Sequence, residues 1–432
     1  MVDDYADAMM RFSPRRISEM IQRFTDLDYW RFRPVWELET SIAYRVFGLN
    51  SVLHHLFRHL LKFASGIFLL LGICRVMPHK KMPFTITGFV FAVFFLFFPN
   101  NPEARLAPQE LILLFHFSLV FYLSMAIYTR FDGDMLKSKW RYFLLLFLFI
   151  VMILTKESSC SYSFPLIAFY LLIGVQHKKR KAVIPFIVVS LLHLGRIWLI
   201  ESSGQNYGES GFDLQRFEKT ANATIDAVTL RGWSDLFAFI FCLAVPMAGL
   251  FLCCKSVKKP QKIRQLLKNK QWILMIYFVL TVVFSFLVVV ATSAFYVLRY
   301  THVLLIPVTL LFTCGFIMIT HHIWQKNNKT KIVFTSLTVL FCCWFIAANY
   351  HNYVYQFATQ YYTRTNEEKM LAATDRVLDT GADLHVIGVG EPTRYIRSRR
   401  QDLLPMYGEP KVENMDENTI SKWNPLARTI LL

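Results

Sequence analysis

Residues 111–129 read Leu-Ile-Leu-Leu-Phe-His-Phe-Ser-Leu-Val-Phe-Tyr-Leu-Ser-Met-Ala-Ile-Tyr-Thr, a run without Asp, Glu, Lys or Arg until Arg130 closes it. A helix of about 20 such residues crosses the hydrocarbon of a bilayer with all its backbone groups paired internally. Similar runs recur on both sides of it, at 60–74, 82–98, 142–155, 161–175, 182–200, 233–254, 272–294, 303–320 and 332–348. With 54% hydrophobic and only 18% charged residues, a chain of 432 residues has too little charge to clothe a water-soluble fold. Forty Phe and nine Trp suit a lipid-facing surface with aromatic residues near the interfaces. The expected fold is therefore an all-α polytopic membrane protein of about 10 transmembrane helices. The runs at 142–155 and 161–175 are short for a full crossing, which predicts tilted helices or a helical pair meeting near one membrane face.

The net charge of +17 would suit a nucleic-acid partner if it formed one patch, but the basic residues are scattered through short loops between apolar runs. One alternate set of loops carries Arg75, Lys80 and Lys81, then Arg130, Lys137, Lys139 and Arg141, then Lys178 to Lys181, then seven Lys and Arg between 255 and 270, then Lys326, Lys329 and Lys331. The positive-inside rule places these loops in the cytoplasm. It puts residues 1–59, 100–110, 156–160, 201–231 and everything after 350 on the outer side. The eight cysteines lie almost entirely inside apolar runs and lack the Cys-x-x-Cys spacing of metal or redox sites, so they read as membrane-embedded core residues.

Three regions follow: an outer-face segment at 1–59, a transmembrane domain at 60–350 and an outer-face tail at 351–432. In the first, Met20, Ile21 and Phe24 form a partial apolar face, and Trp36, Leu38, Ile42, Val46 and Leu49 repeat at roughly helical spacing between charges. Both patterns predict helices lying on the membrane surface. An outer segment at the start also predicts one more apolar helix upstream of Met1, an eleventh span, to carry Asp3 across. In the tail, a helix is expected over 366–378, followed by the buried-strand run Leu384-His-Val-Ile-Gly-Val-Gly390, so the tail reads as small and α/β. Its two glycines are strand-to-loop punctuation, too few for a dinucleotide fingerprint.

Chemistry at the outer face would come from Asp3, Asp4, Arg33, Glu103, Arg105, Lys156, Glu157, Arg299, Tyr300 and His302, which lie in or beside the outer loops. Carboxylates can act as a general base toward a hydroxyl, and Arg or Lys can hold a phosphate through charge-assisted hydrogen bonds. A single loop charge is ordinarily just solvated. Five separate outer segments each presenting an ionisable residue at the end of an apolar run point to a shared site.

These residues also carry a resemblance. Asp3-Asp4-Tyr5-Ala6-Asp7, Arg33-Pro34, Val46-Phe47-Gly48-Leu49-Asn50, Pro102-Glu103, Lys156-Glu157 with Pro165, and Arg299-Tyr300 resemble, in that order, the outer-loop motifs of the GT-C superfamily of membrane glycosyltransferases. That superfamily includes protein O-mannosyltransferases and bacterial aminoarabinose transferases. The resemblance spans roughly residues 3 to 320 and does not reach the tail. It implies inverting transfer of a sugar from a polyprenyl-phosphate carrier to a glycan, lipid or protein acceptor of the cell envelope, on the extracytoplasmic (periplasmic or lumenal) face. Asp4 or Asp3 would be the catalytic base, with Arg33, Lys156 and Arg299 on the donor phosphate. Glu103, Arg105, Glu157, Tyr300 and His302 would support them. No cofactor is required, although a divalent ion between Asp4 and Glu103 is compatible with paired carboxylates. Membrane lipid is the remaining partner, and nucleic acid is not one. Two other classes fit the same composition: a transporter or flippase of lipid-linked sugars, which should show mid-membrane charges and an inverted repeat, and an inactive envelope scaffold.

Overall fold

The computed structural model describes residues 33–47, 51–77, 84–97, 108–131, 134–176, 180–202, 214–228, 240–255, 269–291, 301–347, 385–387 and 429–431. Eleven helices follow one another as α1 (Pro34–Phe47), α2 (Ser51–Val76), α3 (Phe84–Phe97), α4 (Pro108–Arg130), α5 (Lys139–Ile153), α6 (Cys160–Gln176), α7 (Ile184–Ser202), α8 (Leu214–Val228), α9 (Val245–Lys255), α10 (Lys270–Ala291) and α11 (Thr301–Trp324). A twelfth, α12, covers Asn328–Ala347. Strands β1 (His385–Ile387) and β2 (Thr429–Leu431) pair in parallel, His385 opposite Thr429.

Each apolar run read from the sequence overlaps a described helix, and residues 233–239 of the run at 233–254 lie outside the described residues. Among the described residues, five helices are long and apolar enough to cross a membrane: α2 over Leu56–Val76, α4 over Gln109–Arg130, α10 over Lys270–Val290, α11 over Val303–Trp324, and α12. Two shorter apolar helices cover Ile86–Phe95 and Val245–Lys255. The expected short pair is present as well: α5 and α6 are joined by a tight turn containing a 3₁₀ segment, Glu157–Ser159. Between residues 201 and 231, where no element was expected, α8 packs against α10 and α11 and sets Phe217 edge-on to Phe286 at 5.0 Å.

Exposure along the helices explains why a chain so apolar folds at all. Leu53, Leu56, Leu60, Phe63, Ile67 and Leu71 form an exposed stripe down one side of α2, and Trp140, Phe143 and Phe147 do the same on α5. Their spacing of three and four residues marks a single helix face. In water such stripes would drive aggregation, whereas against lipid tails they cost nothing. The hydrophobic effect therefore does little to hold the helices together, and close packing has to.

The packing is tightest where α9 crosses α11. A methyl group added to Gly315 would lie 2.5 Å from the Val245 carbonyl oxygen, and one added to Gly249 would strike the Gly315 backbone. The main core runs through α4, α6 and α10. Phe117 stacks on Tyr162 at 4.2 Å and Phe121 lies 5.4 Å from Phe278, both fully buried aromatic contacts. A second cluster joins α3, α11 and α12 around Phe94, which sits 4.8 Å from Phe312 and 4.7 Å from Phe345.

By its contacts the chain divides into a larger unit, residues 22–39 and 50–353, and a smaller one, residues 1–21, 40–49 and 354–432. The described part of the smaller unit is the second half of α1 and the β1–β2 pair. The strand expected in the tail is β1, while the helix expected over 366–378 lies outside the described residues.

A buried ion-pair cluster at one end of the larger unit

Three segments far apart in sequence meet at the beginning of α4. At Leu154 the α5 helix ends, and Lys156 takes an extended conformation (φ −161°, ψ 152°) that turns the chain into the Glu157–Ser159 segment. The start of α1 docks on this turn, with the Val35 amide donating to the Leu154 carbonyl at 3.4 Å. Arg33 then reaches Glu157, its Nε lying 3.0 and 2.9 Å from the two carboxylate oxygens and Nη2 2.7 Å from Oε2. The third guanidinium nitrogen, Nη1, donates to the Gln109 side-chain oxygen at 2.5 Å. Such a fork-to-fork pair fixes orientation as well as charge.

Beside it, the ammonium of Lys156 pairs with the carboxylate of Glu110. Lys156 is 1% exposed and Glu110 2%. Neither charge could remain there without the other, because burial of an isolated ion costs several kcal/mol or more. A third pair ties α1 down: His116 Nε2 donates to Glu39 Oε1 at 2.8 Å. The other ring nitrogen, Nδ1, lies 2.9 Å from Thr155 Oγ1, whose own proton goes to the Val151 carbonyl at 2.8 Å. Thr155 has only one proton to give, so it accepts from the ring.

Burial alone would push the Glu157 carboxyl up. The Arg33 guanidinium beside it, the hydrogen bonds from Arg33, the charge of Arg196 and a backbone hydrogen bond together outweigh that and hold it at about 2. Arg196 belongs to α7, and one turn earlier on the same helix His193 Nε2 meets Ser159 Oγ at 3.2 Å. The turn at residues 154–160 thus receives α1, α4 and α7 at once.

No family model, curated protein or solved structure matches this chain.

Of the residues expected to act, the structure brings Arg33, Lys156 and Glu157 together. His302 lies on the first turn of α11, and its side chain is not among those described; Asp3, Asp4, Glu103, Arg105, Arg299 and Tyr300 lie outside the described residues. Both described cations expected on a phosphate are paired with carboxylates of the same unit. Among the described residues no three His, Cys, Asp or Glu side chains group as metal ligands.

The cluster contains groups the motif reading passed over, namely Gln109, Glu110, His116, Glu39 and Thr155. The signal for them was present, since Glu110 and His116 stand inside or beside an otherwise apolar run, where a polar side chain needs a partner. Lys62 belongs with them and is 4% exposed in the middle of α2. Phe68 contacts Phe115 and Tyr122, and Arg75 donates to the Tyr122 hydroxyl at 2.6 Å, so α2 and α4 run side by side in one direction. Lys62 precedes Phe68 by as many residues as Gln109 precedes Phe115, which sets it level with the cluster.

Proposed function

We propose that this chain is an integral membrane glycosyltransferase that transfers a sugar from a polyprenyl-phosphate carrier to a cell-envelope glycan, lipid or protein. In this reading the chain crosses the membrane about 10 times, with the cluster and the C-terminal tail on the extracytoplasmic face. The observation that carries the reading is the meeting of Arg33 with the Lys156-Glu157 turn. Two motifs of the resemblance, 124 positions apart, converge on one contact at the same end of the bundle.

The chemistry would run as follows. Asp4 takes the proton from the acceptor hydroxyl, the hydroxyl oxygen attacks the anomeric carbon from the face opposite the phosphate, and the carbon–oxygen bond to the carrier breaks with its electron pair leaving on the lipid phosphate. Inversion follows from that single displacement. Arg33 and Lys156 contribute by holding the start of α1 and the turn in register. Their pairing with Glu157 and Glu110 also favours a second reading, in which the cluster only braces a scaffold or a carrier of lipid-linked sugars.

The test is transfer of radiolabelled sugar from extracted polyprenyl-phosphate donor to membrane acceptor at matched protein levels. The transferase reading expects the Asp3→Asn, Asp4→Asn double variant to lose on the order of 10²-fold or more, with donor-lipid binding retained. Undiminished transfer would remove the reading. Sidedness is checked separately: cysteine placed at Gly204 or Thr380 should label with an impermeant reagent from outside, and cysteine at Gln261 should not.

A further inference from the structure

The end of the bundle away from the ion-pair cluster holds its cations differently. Helix α4 has 23 residues. At 1.5 Å per residue that is about 35 Å, enough to carry Glu110 and Arg130 to opposite borders of a hydrocarbon layer about 30 Å thick. At the Arg130 border the cations lie against aromatic rings. Arg75 Cζ sits 4.8 Å from the centre of the Tyr122 ring, and Lys270 Nζ 5.3 Å from that of Tyr128. One residue past α4, Phe131 takes two: Arg130 Cζ lies 5.8 Å and Arg141 Cζ 5.1 Å from its ring centre. The last residue of α4 and the third of α5 thus bring their guanidiniums to one point.

A guanidinium over a ring is attracted by the ring's quadrupole and keeps its N–H donors for another partner. Among the described residues neither Arg130 nor Arg141 has a carboxylate within ion-pair distance. Asp134, the described carboxylate of the same turn, caps the 3₁₀ segment Met135–Lys137 by accepting from the Leu136 amide at 3.2 Å. Lys137 and Lys139 are exposed nearby. Cations gathered in this way repel one another, so the turn suits an anion that can take several N–H donors at once, as a phosphate does. The membrane supplies one at this depth. Trp140 is 74% exposed and heads the stripe of α5 that continues through Phe143 and Phe147. A tryptophan at the start of a lipid-facing stripe marks the level of the headgroups.

We infer that the α4–α5 turn is a docking surface for an anionic phospholipid, with its phosphate on Arg130 and Arg141 and its acyl chains along Trp140, Phe143 and Phe147. The proposal rests on α4 and α5 being membrane helices and is independent of the transferase reading. A zwitterionic headgroup fits less well, because its own ammonium meets the same cations. The ion-pair cluster answers Arg33 and Lys156 with carboxylates of the chain, whereas here the answering charge comes from the lipid.

The experiment uses the full chain in dodecylmaltoside micelles, titrated with dioleoyl phosphatidylglycerol or with dioleoyl phosphatidylcholine, and counts bound lipid by native mass spectrometry. Saturable binding is expected, tighter for phosphatidylglycerol by about tenfold or more. Arg130→Gln combined with Arg141→Gln should abolish that preference. Lys329→Gln combined with Lys331→Gln, which removes as many charges from the start of α12, should leave it in place. Phe131→Leu keeps every charge and removes only the shared ring, so it should weaken the preference several-fold, and it decides the matter if the arginine variant fails to fold. Equal affinity for the two lipids would overturn the proposal and leave the turn to an acidic protein partner. A preference that survives either the arginine variant or Phe131→Leu, or that is lost as readily in the lysine variant, would overturn it too. None of these outcomes bears on sugar transfer, which is read in a separate assay.

Discussion

The α9–α11 crossing and the Arg33–Glu157 end are both tightly built, but by opposite means. At the crossing, Gly249 and Gly315 let two backbones touch with no charged side chain involved. At the charged end, Arg33 pairs with Glu157 and Lys156 with Glu110, and the second of these pairs is held where ions are least welcome. Close packing would have closed that end more cheaply, since hydrophobic replacements of buried ion pairs often leave proteins as stable or more so. The charges are therefore better explained by what that end does than by what it holds together.

The sharpest way to break the comparison is to remove one half of the Lys156–Glu110 pair. Lys156→Met leaves a carboxylate buried without its cation and should cost about 3–5 kcal/mol, seen as loss of folded protein in detergent. Adding Glu110→Leu should restore most of the stability while sugar transfer stays lost. A double variant that stays unstable would make the pair structural. At the crossing, Gly315→Ala should cost about 1–3 kcal/mol by overpacking, measured by thermal unfolding, with residual transfer per folded molecule near that of the wild type. If transfer falls with stability untouched, the two ends are not functionally distinct.

Acid offers a gentler probe. The Glu157 carboxyl titrates at about 2 in the folded protein against 4.5 ordinarily. A carboxyl with a lowered folded value contributes stability that is fully present above its unfolded value and fades as pH falls toward the folded one. The Arg33–Glu157 contribution should thus be constant from pH 7 to 5 and decline between about 4.5 and 2. Thermal unfolding scans should show that decline in the wild type and lose this component in Glu157→Gln. Equal acid sensitivity in the two proteins would place the titrating group elsewhere.

The helices were legible in the sequence because uninterrupted apolar runs admit one reading in a membrane. The meeting of Arg33 with Glu157 could be expected only as a shared end, because order and sidedness give level but not contact. Glu110 escaped notice for a physical reason. At the edge of an apolar run it looked like the last residue of a solvated loop, whereas the turn at Lys156 draws it inside. Ser190 was harder still, since a serine in a span normally bonds its own backbone or a neighbour, whereas Ser190 Oγ has no hydrogen-bond partner among the described residues. Trp36 is buried while Leu38, Ile42 and Val46 of the same amphipathic pattern are exposed, so the pattern located α1 without telling which side it docks.

The central claim is that the start of α1 and the α5–α6 turn form one working end through the Arg33–Glu157 pair. A double-mutant cycle on Arg33→Gln and Glu157→Gln, read by both thermal unfolding and sugar transfer, tests it most directly. The account predicts strong coupling in stability, on the order of 2–3 kcal/mol, with the double variant more stable than Glu157→Gln alone and transfer lost in all three. Additive stabilities together with wild-type transfer in the double variant would contradict it.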